Sequence, residues 1–205
     1  MHDNILSDNQ KNLLPFIGSF HKEFYLAGGT AVALQIGHRA SIDFDMFKLS
    51  NIQKTKISLR LKNFDINYQL LFTDSESFHI LANGVKMTFF QYPFNIPTKV
   101  YFENIKMPDL IHLAAMKAYA LGRRAKWKDY VDLYFILKDF YSLNEISSLT
   151  QKLFGELFSP KLFKQQLCYF NDIDYSEEVN YCIEPVNENT IKSFLTELAT
   201  SKIQD

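Results

Sequence analysis

The segment Leu26-Ala27-Gly28-Gly29-Thr30, joined by one short helical stretch to Ser41-Ile42-Asp43-Phe44-Asp45-Met46-Phe47, is where the reading of this chain starts. Asp43 and Asp45 alternate with bulky apolar residues, so a strand here buries one face and presents both carboxylates on the other. Two such carboxylates repel each other unless a cation lies between them. Hard divalent ions such as Mg²⁺ fill that role, taking one or two carboxylates together with phosphate oxygens and water. Gly28-Gly29-Thr30 supplies the complementary half, because glycines let backbone approach a ligand closely and helix N-termini favour anions. The two segments together read as a nucleotide-plus-metal site.

Composition bounds what surrounds that site. The chain has 205 residues, 47% of them hydrophobic and 15% aromatic, which supports a well-filled core and excludes a disordered chain. It is long enough for one large domain or two small ones. The formal charge of −1 gives no global field for nucleic acid, so any electropositive face must be local. Cys168 and Cys182 lie far from the motif and lack metal-ligand spacing, and read as ordinary thiols. No basic leader runs into a long apolar segment and no stretch approaches a membrane span, so the expected location is cytoplasmic, with no membrane partner.

Working outward, Leu13, Leu14, Phe16, Ile17 and Phe20 suggest a helix before a short strand at residues 24–27. Thr30 is placed to cap a helix over residues 31–36 that ends at Gly37. A polar-faced helix is expected at 54–62, and strands at 68–72, 78–81, 85–90 and 99–102, with Asn83-Gly84 as a hairpin signal. Pro108 is expected to open a long helix at its first turn. From there the pattern is helical, in two pieces separated near Gly122. Leu110, Leu113, Ala114, Lys117 and Leu121 share one stripe, which places Lys117 along a packed face.

These elements predict an α+β fold, with residues 1–105 as an α/β core and residues 106–205 as a helical C-terminal region completing a cleft. The span from Ala27 to Phe47, including Leu34, Gly37, His38, Arg39 and Ser41, resembles the AbiEii-type abortive-infection nucleotidyltransferase toxin family. A second block is also similar to that family: Asp109 to Lys117, then Arg123-Arg124, then Lys128-Asp129-Tyr130-Val131-Asp132-Leu133-Tyr134.

The resemblance implies a polymerase-beta-like nucleotidyltransferase core, a mixed sheet with helices, and an enzyme of toxin–antitoxin or phage-defence type. Such an enzyme would transfer a nucleoside monophosphate from a nucleoside triphosphate to an RNA, with the tRNA 3′ end favoured, or to a protein acceptor. By position, Gly28, Gly29, Thr30 and Arg39 would bind the nucleotide. Asp43 and Asp45 would be catalytic and ligate Mg²⁺ or Mn²⁺. Lys117 would reach the triphosphate, and Asp129 is the acidic member of the later motif. Arg123, Arg124, Lys128 and Asp132 would support the site or meet the acceptor, and a cognate antitoxin is an implied partner.

Each assignment has a competing reading. Lys117 could snorkel to water, and Lys128 and Asp132, four apart, could form an ordinary surface pair. Arg39 could contact phosphate or brace the aspartates. Asp129 could position Lys117, the acceptor hydroxyl or a metal-bound water. His38, His79 and His112 have no mutual ligand spacing, and Tyr119, Tyr130 and Tyr134 read as core. Polymerase-beta-type catalysts commonly carry a third carboxylate on a later strand, yet Val85-Lys86-Met87-Thr88-Phe89-Phe90 has none. That gap motivates one rival reading, a catalytically silent nucleotide-binding or antitoxin-binding module; the basic cluster Arg123, Arg124, Lys126 and Lys128 motivates another, a non-catalytic RNA-binding protein.

Overall fold

Local capping and alternation account for most of the elements in the computed structural model, which describes residues 1–201. The chain divides into two units, Met1–Asp109 and Leu110–Asp205. In the first, α1 (Asp8–Gly18) begins at a capping box in which Ser7 and Gln10 satisfy each other's backbone N–H. There follow β1 (Tyr25–Ala27), α2 (Gly28–Ile36), β2 (Phe44–Lys48), α3 (Lys54–Asn63), β3 (Tyr68–Thr73), β4 (Ser77–Ala82) and β5 (Val85–Gln91). A hairpin of β6 (Val100–Phe102) and β7 (Ile105–Met107) closes the unit.

The five longer-range strands form one mixed sheet in the order β1-β2-β5-β4-β3. Only β2 and β5 run parallel; the other neighbours are antiparallel. Phe44, Met46, Ile80, Met87 and Phe89 are fully buried on one face. Phe16, Phe20 and Phe24 meet Phe89 there at ring separations of 6.5, 5.2 and 5.4 Å. Such aromatic pairs add about 0.5–1.5 kcal/mol each beyond the area they bury. Asn83 and Gly84 both take positive φ in a two-residue turn between β4 and β5, as their sequence predicts.

The second unit is helical: α4 (Leu110–Leu121), α5 (Trp127–Asp139), α6 (Leu143–Phe154), α7 (Pro160–Leu167) and α8 (Glu188–Thr200). Ser142 with Glu145, Ser159 and Asn187 cap the last three. Among the described residues no helix is long and apolar enough to cross a membrane. Both cysteines are free thiols.

Three expectations need correction. Thr30 does not cap α2: the helix starts three residues earlier, with Ala27 as N-cap, because the double glycine turns directly into it. The β2 strand begins at Phe44, so Asp43 stands just before it. Pro108 precedes α4 without entering it, and the unanticipated strand β7 lies immediately before Pro108.

Candidate nucleotide and metal site

The glycine turn and the aspartates meet through sheet register. Ala27 is paired with Asp45 across β1 and β2, so the backbone that leaves β1 into α2 passes beside the Asp45 carboxylate. Gly28 there has φ +67°, and a Cβ on it would overlap the carboxylate, with Asp45 Cγ only 3.0 Å away. Both the backbone angle and the missing side chain are therefore required. The N-terminus of α2 carries no side-chain cap, which leaves its first N–H groups without that partner beside the carboxylate pair. Asp43 and Asp45 are half-buried while Phe44 and Met46 are buried, the alternation their spacing predicts.

The loop leading to the aspartates is held from three sides. Thr30 Oγ1 lies 2.8 Å from Ser41 Oγ and hydrogen bonds to the Asp43 carbonyl. The fully buried Gln10 donates from Nε2 to the Ser41 carbonyl at 2.8 Å. Arg39, 2% exposed, donates from Nη1 to the Ala40 carbonyl at 3.0 Å. Its Nη2 lies so close to Gly29 that a Cβ would stand 2.5 Å from it. Of the two readings of Arg39, this burial favours the brace. Thr30 likewise spends its hydroxyl on the loop, leaving its backbone N–H as the group it can offer a phosphate. Gln10 and Ser41 were not anticipated in these roles, because only the folded chain brings α1 to this loop.

A row of side chains continues from Asp45 across the sheet on the face away from the aromatic core. Asp45 is opposite Thr88, Thr88 is opposite His79, and His79 is opposite Phe72. Thr88 Oγ1 and His79 Nδ1 are hydrogen bonded at 3.2 Å, and the His79 and Phe72 rings are 5.6 Å apart. The residue facing Asp45 from β5 is thus a threonine, where a third carboxylate would have stood. Burial and the nearby Lys86 lower the His79 pKa, with Asp74 acting weakly the other way.

Among the described residues no group of three His, Cys, Asp or Glu gathers as a metal cage. A divalent ion here would rest on Asp43 and Asp45, with substrate phosphates and water completing its shell, a coordination that suits Mg²⁺.

The second unit holds its own buried ion cluster. Lys117 on α4 lies 2.7 Å from Asp129 Oδ1 and 2.6 Å from Asp132 Oδ2, both on α5. All three are buried, with Asp132 fully so. Arg124 Nε adds a contact to Asp129 Oδ2 at 3.2 Å. Lys117 therefore does not snorkel, and Asp132 is no surface partner of Lys128. Lys128 instead pairs with Glu177 at 3.4 Å, and Lys126 also pairs with Glu177. Arg123 stacks 3.6 Å over Tyr119 and donates to the carbonyls of Tyr119 and Leu157. The basic cluster read from the sequence is accordingly engaged within the chain.

Tyr130 and Tyr134 are buried, as expected of core residues. Burial raises the Tyr130 pKa to about 12, its hydroxyl being held by Gln166 and the Tyr169 carbonyl. His38 is buried and His112 half-buried.

The fold has solved counterparts. The nucleotidyltransferase toxin MenT4 of Mycobacterium tuberculosis superposes with a TM-score of 0.67 at 13% identity, covering 93% of this chain and 80% of that one. JHP933 of Helicobacter pylori superposes with a TM-score of 0.61 at 16% identity, covering 95% and 91%. The chain has the nucleotidyltransferase fold, as the resemblance to the toxin family implied. It is also 32% identical over 179 residues to an uncharacterized protein of Aquifex aeolicus, spanning 84% of each, and belongs to the same family as that protein. No protein-family model matches it.

Proposed function

We propose that this chain is a Mg²⁺-dependent nucleotidyltransferase of the toxin type that moves a nucleoside monophosphate from a triphosphate to an RNA acceptor, with the tRNA 3′ end favoured. The observation that carries the reading is the Asp45 carboxylate packed on Gly28 at the uncapped N-terminus of α2. Anion-binding N–H groups and metal-binding carboxylates are thereby presented side by side, which is what a triphosphate with its counter-ion needs. The fold shared with a nucleotidyltransferase toxin supports the same conclusion.

In the transfer, the acceptor hydroxyl oxygen bonds to the α-phosphorus as the bond from that phosphorus to its leaving oxygen breaks. Pyrophosphate departs with the electron pair, and the hydroxyl proton passes to solvent. The backbone N–H groups of Gly29 and Thr30 would hold phosphate oxygens, and Asp43 and Asp45 would hold the metal. A bound Mg²⁺ would supply charge stabilisation for the equatorial and leaving oxygens. Arg39, Gln10 and Thr30 keep the aspartate loop in one geometry, so little reorganisation accompanies the reaction. Lys117, in contact with Asp129 and Asp132, is the proposed cation for the triphosphate. A cognate antitoxin and a cytoplasmic location belong to the same proposal.

Thr88 opposite Asp45 motivates a second reading, a nucleotide-binding module without turnover. Incubation with each α-labelled nucleoside triphosphate, Mg²⁺ and total tRNA separates the two. Label on RNA is the expected result; label on neither RNA nor protein with any of the four nucleotides, alongside intact triphosphate binding, would favour the silent module.

A further inference from the structure

The face of the sheet that carries Asp45 has two dissimilar halves. Toward the ends of β2 and β5, Phe47 and Phe90 pack on each other at 5.3 Å, and Phe47 packs on Tyr25 at 6.2 Å, with Tyr25 buried. That half is closed by its own side chains. The row through Asp45, Thr88 and His79 instead ends on Phe72, a residue 55% exposed.

Phe72 reaches this face through an irregularity. Tyr68 and Leu70 pair with Ala82 and Ile80 and so share the core-side face, and strict alternation would send Phe72 there too. The register shift between Leu70 and Phe72 places Phe72 opposite His79 instead. Bulges of this kind re-aim a side chain, and they are over-represented beside active sites. Phe72 packs on His79 and otherwise faces solvent, as all of β3 does, so its ring surface is open on the side of the carboxylate row. At a strand spacing of about 4.8 Å, His79 lies about 10 Å and Phe72 about 14 Å across the sheet from Asp45. Both positions lie within the length of an extended nucleoside triphosphate.

We propose that Phe72 and His79 form a base-stacking subsite, taking the base of a nucleotide whose phosphate lies at the Asp43–Asp45 pair. This rests on the proposed placement of nucleotide phosphates at that pair. Thr88 orients the imidazole by its hydrogen bond to Nδ1, and the Phe72 ring offers its surface to a base. Stacking of this kind tolerates any base and selects nucleotides over simple polyphosphates. The base can belong to the incoming triphosphate or to the end of a single-stranded acceptor.

Equilibrium binding to the full chain tests the subsite with two probes: each Mg²⁺-triphosphate alone, and a short labelled single-stranded oligoribonucleotide without triphosphate. Phe72→Ala should weaken one of them by about fivefold to a hundredfold, as loss of a base–aromatic stack does, while Phe72→Trp preserves or tightens it. Loss confined to triphosphates assigns the donor's base; loss confined to the oligonucleotide assigns the acceptor. Phe64→Ala, at an exposed ring elsewhere, should change neither. Unchanged affinity for both probes in Phe72→Ala, or binding of neither probe by the unaltered chain, overturns the subsite. Binding that depends on Phe72 in a chain that transfers no label would overturn the catalytic reading alone.

Discussion

Gly28 meets two demands at once, a left-handed backbone angle and contact with the Asp45 carboxylate. An L-residue at such an angle costs about 1–2 kcal/mol before any overlap is counted. Gly28→Ala should therefore lower stability in urea denaturation by at least that amount and displace Asp45, with loss of transfer activity. Lys117 presents the opposite situation, a charge buried because its partners are buried. Lys117→Met leaves Asp129 and Asp132 facing each other without their common cation, and breaking a buried pair in this way costs about 3–5 kcal/mol. Adding Asp132→Asn to that variant should recover part of the loss, measured by the same denaturation curves. His79 gives a pH signature. Its folded pKa lies below the unfolded value of about 6.5, so its contribution to stability is complete above that pH and is lost as pH falls through the lower folded value. His79→Gln should flatten that limb of the melting temperature against pH.

At the scale of elements, the parallel pairing of β2 with β5 decides what faces the carboxylates. Thr88→Asp would put a third acid opposite Asp45, and calorimetric titration should then register tighter Mg²⁺ or Mn²⁺ binding than in the unaltered chain. The alternation of Asp43 and Asp45 with Phe44 and Met46, the apolar α2 and the Asn83-Gly84 turn were all legible in the sequence, because each depends on neighbours a few positions away. The row from Asp45 to Phe72 was not. It requires the strand order β1-β2-β5-β4-β3 and a one-residue register shift in β3, neither of which leaves a local signature. For the same reason Thr30 was assigned to a helix cap: its true partners, Ser41 and Asp43, are reached only when β2 returns beside β1.

Across the whole molecule, each of the two units carries one block of the motif read in the sequence. The first holds the glycine turn and aspartates on a braced loop, and the second holds Lys117 between two acids. Lys117 was visible as a lysine on an apolar helical stripe; that it takes both Asp129 and Asp132 depended on how α4 packs on α5. The near-zero net charge and the internal pairing of Lys126 and Lys128 argue against a broad electrostatic surface for RNA. The central claim is that the aspartate pair beside Gly28 performs nucleotidyl transfer. The most direct measurement is transfer of α-labelled nucleotide to tRNA by the unaltered chain and by Asp45→Asn, with circular dichroism checking that both are folded. The account predicts transfer by the first and none by the second; equal labelling by both folded proteins would contradict it.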